Sequence, residues 1–201
     1  MTKIKFCGLK TLSDVEAVNE LLPEYVGFVF APKSKRYITP AQAQILRNNL
    51  SEKISAVGVF VNENFQTVAE LFNNGTIDAA QLHGNETDAY IKNLRGLAHK
   101  TIIKAFQIKT ADDITAAEKN SADFILADSG AGSGKVFDWS LLKNLRREYF
   151  LAGGLNPLNV SDAIKILNPF AVDVSSGIET DGRKDFDKMK SFTMAVRKEN
   201  L

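Results

Sequence analysis

A single cysteine, Cys7, leaves no partner for an internal disulfide among 201 residues. The fold must therefore be held by its apolar core, and disulfide-stapled secreted scaffolds are excluded. The two histidines, His83 and His99, form no H-x-H or H-E-x-x-H pair, so metal catalysis has no support in the sequence. Neither sign of charge is in excess, with 25 Lys+Arg against 24 Asp+Glu. That balance offers no basic footprint for nucleic acid and no acidic solvating tail. The longest apolar runs are strand-sized, such as Ile125-Leu126-Ala127, too short to span a bilayer. The start, Met1-Thr2-Lys3-Ile4-Lys5, lacks the apolar stretch of a signal peptide. A cytoplasmic protein is expected, with one domain over residues 1–201, since no linker or low-complexity tract interrupts the chain.

What is present is a strict alternation of two periods. Strand-like runs extend from Ile4 to Gly8, Tyr25 to Phe30, Ala56 to Val61, Ala79 to His83, Thr101 to Phe106, Asp123 to Asp128, Tyr149 to Gly153 and Ala171 to Ser175. Helical stripes separate them. Leu12, Val15, Val18 and Leu22 follow the capping-type start at Thr11, and Thr39-Pro40 opens the next. Phe65, Val68, Ala69 and Phe72 make the third, Tyr90, Ile91 and Leu94 the fourth, and Asp112 to Lys119 a weaker fifth. Asp138 is expected to cap a segment carrying Leu141, Leu142 and Leu145, and Asn156-Pro157 to open one carrying Val160, Ala163, Ile164 and Leu167. Phe186, Met189, Phe192 and Val196 close the chain. Eight β-then-α units of about 25 residues predict a parallel sheet with right-handed crossovers, closed as a (β/α)₈ TIM barrel. An open doubly wound sheet would want G-x-G-x-x-G after the first strand, and only Gly8 stands there.

In such a barrel the loops after the strands share one mouth. Cys7 stands at the tip of the first strand, where a thiol is either packing or reactive chemistry. Asp128 ends an apolar run, where partial desolvation favours a protonated carboxyl. A thiol and a carboxyl across one mouth suit a proton acceptor and a proton donor. Lys33-Ser34-Lys35-Arg36 offers a grip on a carboxylate, with Arg36 the better fork. Gln81 and His83 follow the fourth strand, and Asp173 precedes the loop after the eighth. Gly153, Gly154 and Asn156 after the seventh strand, and Ser175, Ser176 and Gly177 after the eighth, predict a phosphate site built from backbone N–H groups and a helix start. Gly130 to Lys135 lacks the spacing of a nucleotide loop, because Val136 follows the lysine. It is expected to act as a glycine-rich lid.

The motifs together resemble one family. Lys5-Phe6-Cys7-Gly8, Ser34-Lys35-Arg36-Tyr37-Ile38, Gly58-Val59-Phe60-Val61-Asn62, Gln81-Leu82-His83-Gly84, Asp128-Ser129, Leu151-Ala152-Gly153-Gly154-Leu155 and Asp173-Val174-Ser175-Ser176-Gly177-Ile178-Glu179 occur in this order. The set is similar to the phosphoribosylanthranilate isomerases of tryptophan biosynthesis. The resemblance implies a metal-free and cofactor-free barrel performing an Amadori rearrangement on a phosphorylated small molecule. It implies Cys7 as general base, Asp128 as general acid, and Arg36 on the anthranilate carboxylate. Gln81, His83 and Asp173 become substrate-end positions at the mouth, and the glycine–serine loops bind phosphate. Departures stand at Lys35, Ala127, Ala131 and Asp181, all neighbours of matched residues, and they question loop rigidity more than reaction type. A monomer is expected, and association with a neighbouring pathway enzyme stays open.

Two rivals remain. A histidine-pathway barrel performs the same rearrangement on another aminoaldose but resembles a duplicated half-barrel with paired aspartates, which Cys7 argues against. A non-catalytic phosphate-binding barrel would keep the loops without needing Cys7 and Asp128 together.

Overall fold

The computed structural model describes residues 1–128 and 139–200. Eight parallel strands close into a barrel in sequence order. They are β1 (Lys3–Cys7), β2 (Tyr25–Val29), β3 (Ser55–Phe60), β4 (Ala79–Leu82), β5 (Thr101–Gln107), β6 (Phe124–Asp128), β7 (Tyr149–Ala152) and β8 (Ala171–Val174). Closure is made by β1 pairing with β8, in a register that sets Lys5 opposite Asp173. On its other side β1 sets Cys7 opposite Gly27 of β2. The open doubly wound alternative is thereby removed.

The helices between strands are α1 (Leu12–Leu21), α2 (Pro40–Asn49), α3 (Phe65–Asn73), α4 (Asp88–Leu97), α5 (Ala111–Lys119) and α6 (Val160–Leu167), with α7 (Phe186–Lys198) closing the chain. Their starts follow local chemistry. The Thr11 side chain accepts from the backbone N–H of Asp14, whose carboxylate accepts from the Thr11 N–H, and Thr39 with Gln42 repeats the device ahead of Pro40. Each such cap stabilises by about 1 kcal/mol.

Two expected helices differ. After β6 the described residues hold only a turn of 3₁₀ helix, Leu141–Asn144. One turn suffices to bury Leu142, and Leu145 is already extended as it enters the core. The Asp138 cap and the Gly130–Lys135 lid lie outside the described residues. After β7 the helix begins at Val160, not at Pro157. The Asn156 Oδ1 accepts the Leu158 N–H at 2.8 Å, an Asx turn, and Pro157 serves that turn as readily as it would a helix start.

Alternation along the strands divides the apolar residues into two cores. Ile4, Phe6, Phe28 and Val172 face the helices. Val57, Ala79, Ile103, Leu126 and Phe150 fill the barrel interior. The interior is plugged by aromatic rings: Phe124 and Phe170 stack at 4.6 Å, and Tyr25 meets Phe150 edge-on at 5.3 Å. Between β8 and α7 a small hairpin, β9 (Glu179–Thr180) and β10 (Arg183–Lys184), turns through Asp181 and Gly182 at φ 50° and 74°. Positive φ at both turn residues is the usual solution for a two-residue hairpin loop, and proline could not adopt it. The departure at Asp181 thus belongs to an Asp-Gly turn.

Candidate active site

Inward-facing residues at the ends of the strands surround a cavity of about 470 Å³. Cys7, Asp128, Arg36, Gln81, His83 and Asp173 all line it. So do Gly153, Gly154, Ser175 and Ser176, on the side of the β7 and β8 loops. Asn156 and Gly177 are not among the lining residues.

The Cys7 flank is crowded with charge. Gly27 makes room for the thiol, since a Cβ there would lie 2.8 Å from the Cys7 sulfur. Two residues earlier on the same face of β1, the wholly buried Lys5 donates to Asp173 Oδ1 at 3.0 Å. Burial, above all, pushes the Cys7 thiol above its ordinary value; Lys5 opposes this, Asp173 adds to it, and Lys184 opposes it again.

Arg36 is already engaged. Its Nε and Nη2 donate to the two carboxylate oxygens of Glu179, each at 2.7 Å. Lys184 Nζ donates to Glu179 Oε1 at 2.8 Å and to the Ser175 carbonyl at 3.1 Å. Although burial works against its charge, hydrogen bonds from Arg36 and Lys184 hold the Glu179 carboxyl down at about 2. This pairing uses one edge of the guanidinium. The edge formed by Nη1 and the second Nη2 hydrogen keeps the geometry to fork a second carboxylate.

On the Asp128 flank the described residues form a line of side chains. His83 Nε2 lies 3.5 Å from Asp128 Oδ2, and His83 Nδ1 lies 2.9 Å from Gln81 Nε2. With the amide nitrogen donating, Nδ1 accepts and the ring proton sits on Nε2, towards Asp128.

The glycine–serine loops after β7 and β8 divide in role. Gly153 and Gly154 run at φ 95° and 66°, a path that residues with side chains rarely take, and so bring backbone to the cavity edge. The Ser175 hydroxyl donates to the Cys7 carbonyl at 3.0 Å, which commits its hydrogen to bracing β1. Asn156 is spent on its turn, with its N–H donating to Asn159 Oδ1 at 2.8 Å. Gly177 lies where the β8 loop crosses the β7 loop, and any Cβ would collide with the Leu155 carbonyl oxygen. Among the described residues, no three His, Cys, Asp or Glu side chains converge as a metal site, and no helix is long and apolar enough to cross a membrane.

Three polar residues of the mouth escape sequence reasoning: Lys5, Glu179 and Lys184. Lys5 could have been found, because it shares Cys7's face by strand period. Glu179 and Lys184 carry no such signal, and Arg36 lies 143 residues from Glu179.

A closed (β/α)₈ barrel with a thiol and a carboxyl across one cavity, edged by glycine–serine loops, has the make-up of an acid–base enzyme for a phosphorylated substrate. The family model for N-(5'phosphoribosyl)anthranilate (PRA) isomerase matches residues 4–195. The N-(5'-phosphoribosyl)anthranilate isomerase of Thermoanaerobacter sp. (strain X514) is 46% identical over 204 aligned positions, covering 98% of each chain. The crystal structure of the isomerase from Thermotoga maritima superposes with a TM-score of 0.90 at 38% identity, covering 98% of this chain and 100% of that one. A further isomerase structure, solved in complex with reduced 1-(o-carboxyphenylamino)-1-deoxyribulose 5-phosphate, gives 0.88 at 37% with the same coverage. The chain belongs to the phosphoribosylanthranilate isomerase family, and is an isomerase of tryptophan biosynthesis.

Proposed function

We propose that this chain converts N-(5-phosphoribosyl)anthranilate to 1-(2-carboxyphenylamino)-1-deoxyribulose 5-phosphate, with Asp128 as general acid and Cys7 as general base. Asp128 gives its proton to the ribose ring oxygen as the bond from that oxygen to C1 breaks, and the nitrogen lone pair closes the protonated Schiff base. The Cys7 thiolate then removes the proton from C2, and that electron pair neutralises the iminium to an enolamine. Tautomerisation puts a proton on C1 and leaves the ketone at C2. Hydrogen moves within one molecule, so the balance needs no outside oxidant or reductant.

The observation that carries this reading is the presence of Cys7 and Asp128 on one cavity wall-to-wall with the glycine–serine edge. Gly153, Gly154 and Ser176 anchor the phosphate, and the second edge of Arg36 takes the anthranilate carboxylate. Gln81, His83 and Asp173 complete the substrate end, His83 by offering its Nε2 proton to Asp128. Turnover followed by the fluorescence of the anthranilate ring tests the substrate. Activity on the imidazole-bearing aminoaldose in its place, or binding of either without turnover, would overturn the assignment.

A further inference from the structure

Lys5 is a charge with no evident use for stability. Its side chain is wholly buried and its partner Asp173 nearly so. The next layer inward is apolar, with Val57, Ala79, Ile103, Leu126 and Phe150. An ion pair in such a place is often matched or bettered by apolar residues of similar volume, because desolvating two charges offsets their attraction. Position offers an explanation. Lys5 and Cys7 are two residues apart on a strand, so both side chains project into the barrel, one above the other. Asp173 stands opposite Lys5 in the β1–β8 register and holds the ammonium in place.

We propose that Lys5 is a positioning residue for the reaction: its ammonium, oriented by Asp173, is the fixed countercharge that receives the negative charge on the Cys7 sulfur when the base ionises. Within the barrel this charge costs no rearrangement at the moment of proton transfer, because it is already desolvated and aligned. Burial works against the Lys5 ammonium, and the Asp173 carboxylate at 3.0 Å favours it, its pKa standing above the ordinary value. The other charged groups acting on Cys7 are Asp173 from β8, which opposes ionisation, and Lys184 from β10, which favours it. Arg36, from the loop after β2, also acts on it but is bound to Glu179. Lys5 is the strongest of the favourable groups and shares a strand with the thiol.

The inference rests on Cys7 being the base, but its test does not need turnover. Cys7 is the only cysteine, so the rate of alkylation by iodoacetamide as a function of pH reads this one thiolate: its sulfur forms the new bond to carbon as iodide leaves. In folded Lys5→Gln, the midpoint of that profile rises by about one pH unit or more, a roughly tenfold slower reaction at a fixed pH below the midpoint. The Lys5→Gln/Asp173→Asn double variant leaves no buried carboxylate unpaired, and its midpoint rises by less. The sign separates this role from a merely structural one. Loosened packing would hydrate the sulfur and lower the midpoint, whereas loss of the countercharge raises it. A midpoint unchanged or lowered in either folded variant overturns the proposal. Retained turnover in Cys7→Ala would instead defeat the assignment of the base, independently of the alkylation result.

Discussion

The two flanks of the mouth are built differently. On the β1–β8 side Lys5, Asp173, Arg36, Glu179 and Lys184 form ion pairs at 2.7 to 3.0 Å around Cys7. Among the described residues, the β4–β6 side carries a line from Gln81 through His83 to Asp128, whose last contact is 3.5 Å between partly exposed partners, with the Lys104–Glu86 ion pair at 3.3 Å beside it. A thiol is hard to ionise in a buried setting, so the base needs countercharges fixed in advance. A carboxyl that donates a proton and recovers it needs contact with water. The difference between the flanks follows the difference in chemistry proposed for them.

The sharpest way to break this comparison is to remove each reacting group in turn. Cys7→Ala and Asp128→Asn should each lower kcat by about 10²–10⁴-fold with KM little changed, measured by steady-state turnover. Near-wild-type kcat in either would leave its flank without the assigned role. Next in size is Arg36→Met, expected to raise KM by about 10–100-fold, since hydrogen bonds to a charged group are lost, with kcat falling less. An unchanged KM would mean that Glu179 is the only carboxylate Arg36 serves.

The loop crossing offers a test of the proposed phosphate edge. Gly177→Ala forces the β8 loop away from Leu155 and should cost about 1–3 kcal/mol. A thermal melt would show a Tm several degrees lower, and inorganic phosphate should protect the variant less than the parent. A Tm and a phosphate response equal to the parent's would show that the two loops can separate freely.

Glu179→Gln is the smallest expected effect and sharpens the Arg36 side. The Glu179 carboxyl is held at about 2 against an ordinary 4.5. Its contribution to stability is complete above the ordinary value and is lost as pH falls from there towards about 2. Denaturant midpoints measured across that window should fall more steeply in the parent than in the variant. Parallel curves would remove the Arg36–Glu179–Lys184 network as a source of acid sensitivity.

Much of this architecture is legible along the chain because strand and helix periods are local. Thr11, Thr39 and the apolar stripes mark the helices near where they occur, and the tips of the strands mark the mouth. The errors are also local in origin. Asn156-Pro157 reads equally as a helix start or an Asx turn, and backbone hydrogen bonds to the Asn156 and Asn159 side chains decide for the turn. Beyond Trp139, the Leu141–Leu145 stretch has enough apolar spacing for a helix, but burying Leu142 and Leu145 takes a single turn. What the local pattern does not show is that the Ser175 hydroxyl donates to the carbonyl of Cys7, 168 residues away, which leaves its backbone N–H for the cavity edge.

By itself the sequence determined the eightfold alternation, the parallel sheet it requires, and the residues at the strand ends. Those properties depend on hydrogen-bonding period and burial within a few residues of each position. Only the tertiary structure decided which charges meet: Lys5 with Asp173 beneath the thiol, and Arg36 with Glu179 beside it. Coulomb attraction and hydrogen bonding act through space, and the register in which the first strand meets the eighth, Lys5 opposite Asp173, is set by closure and by no local pattern.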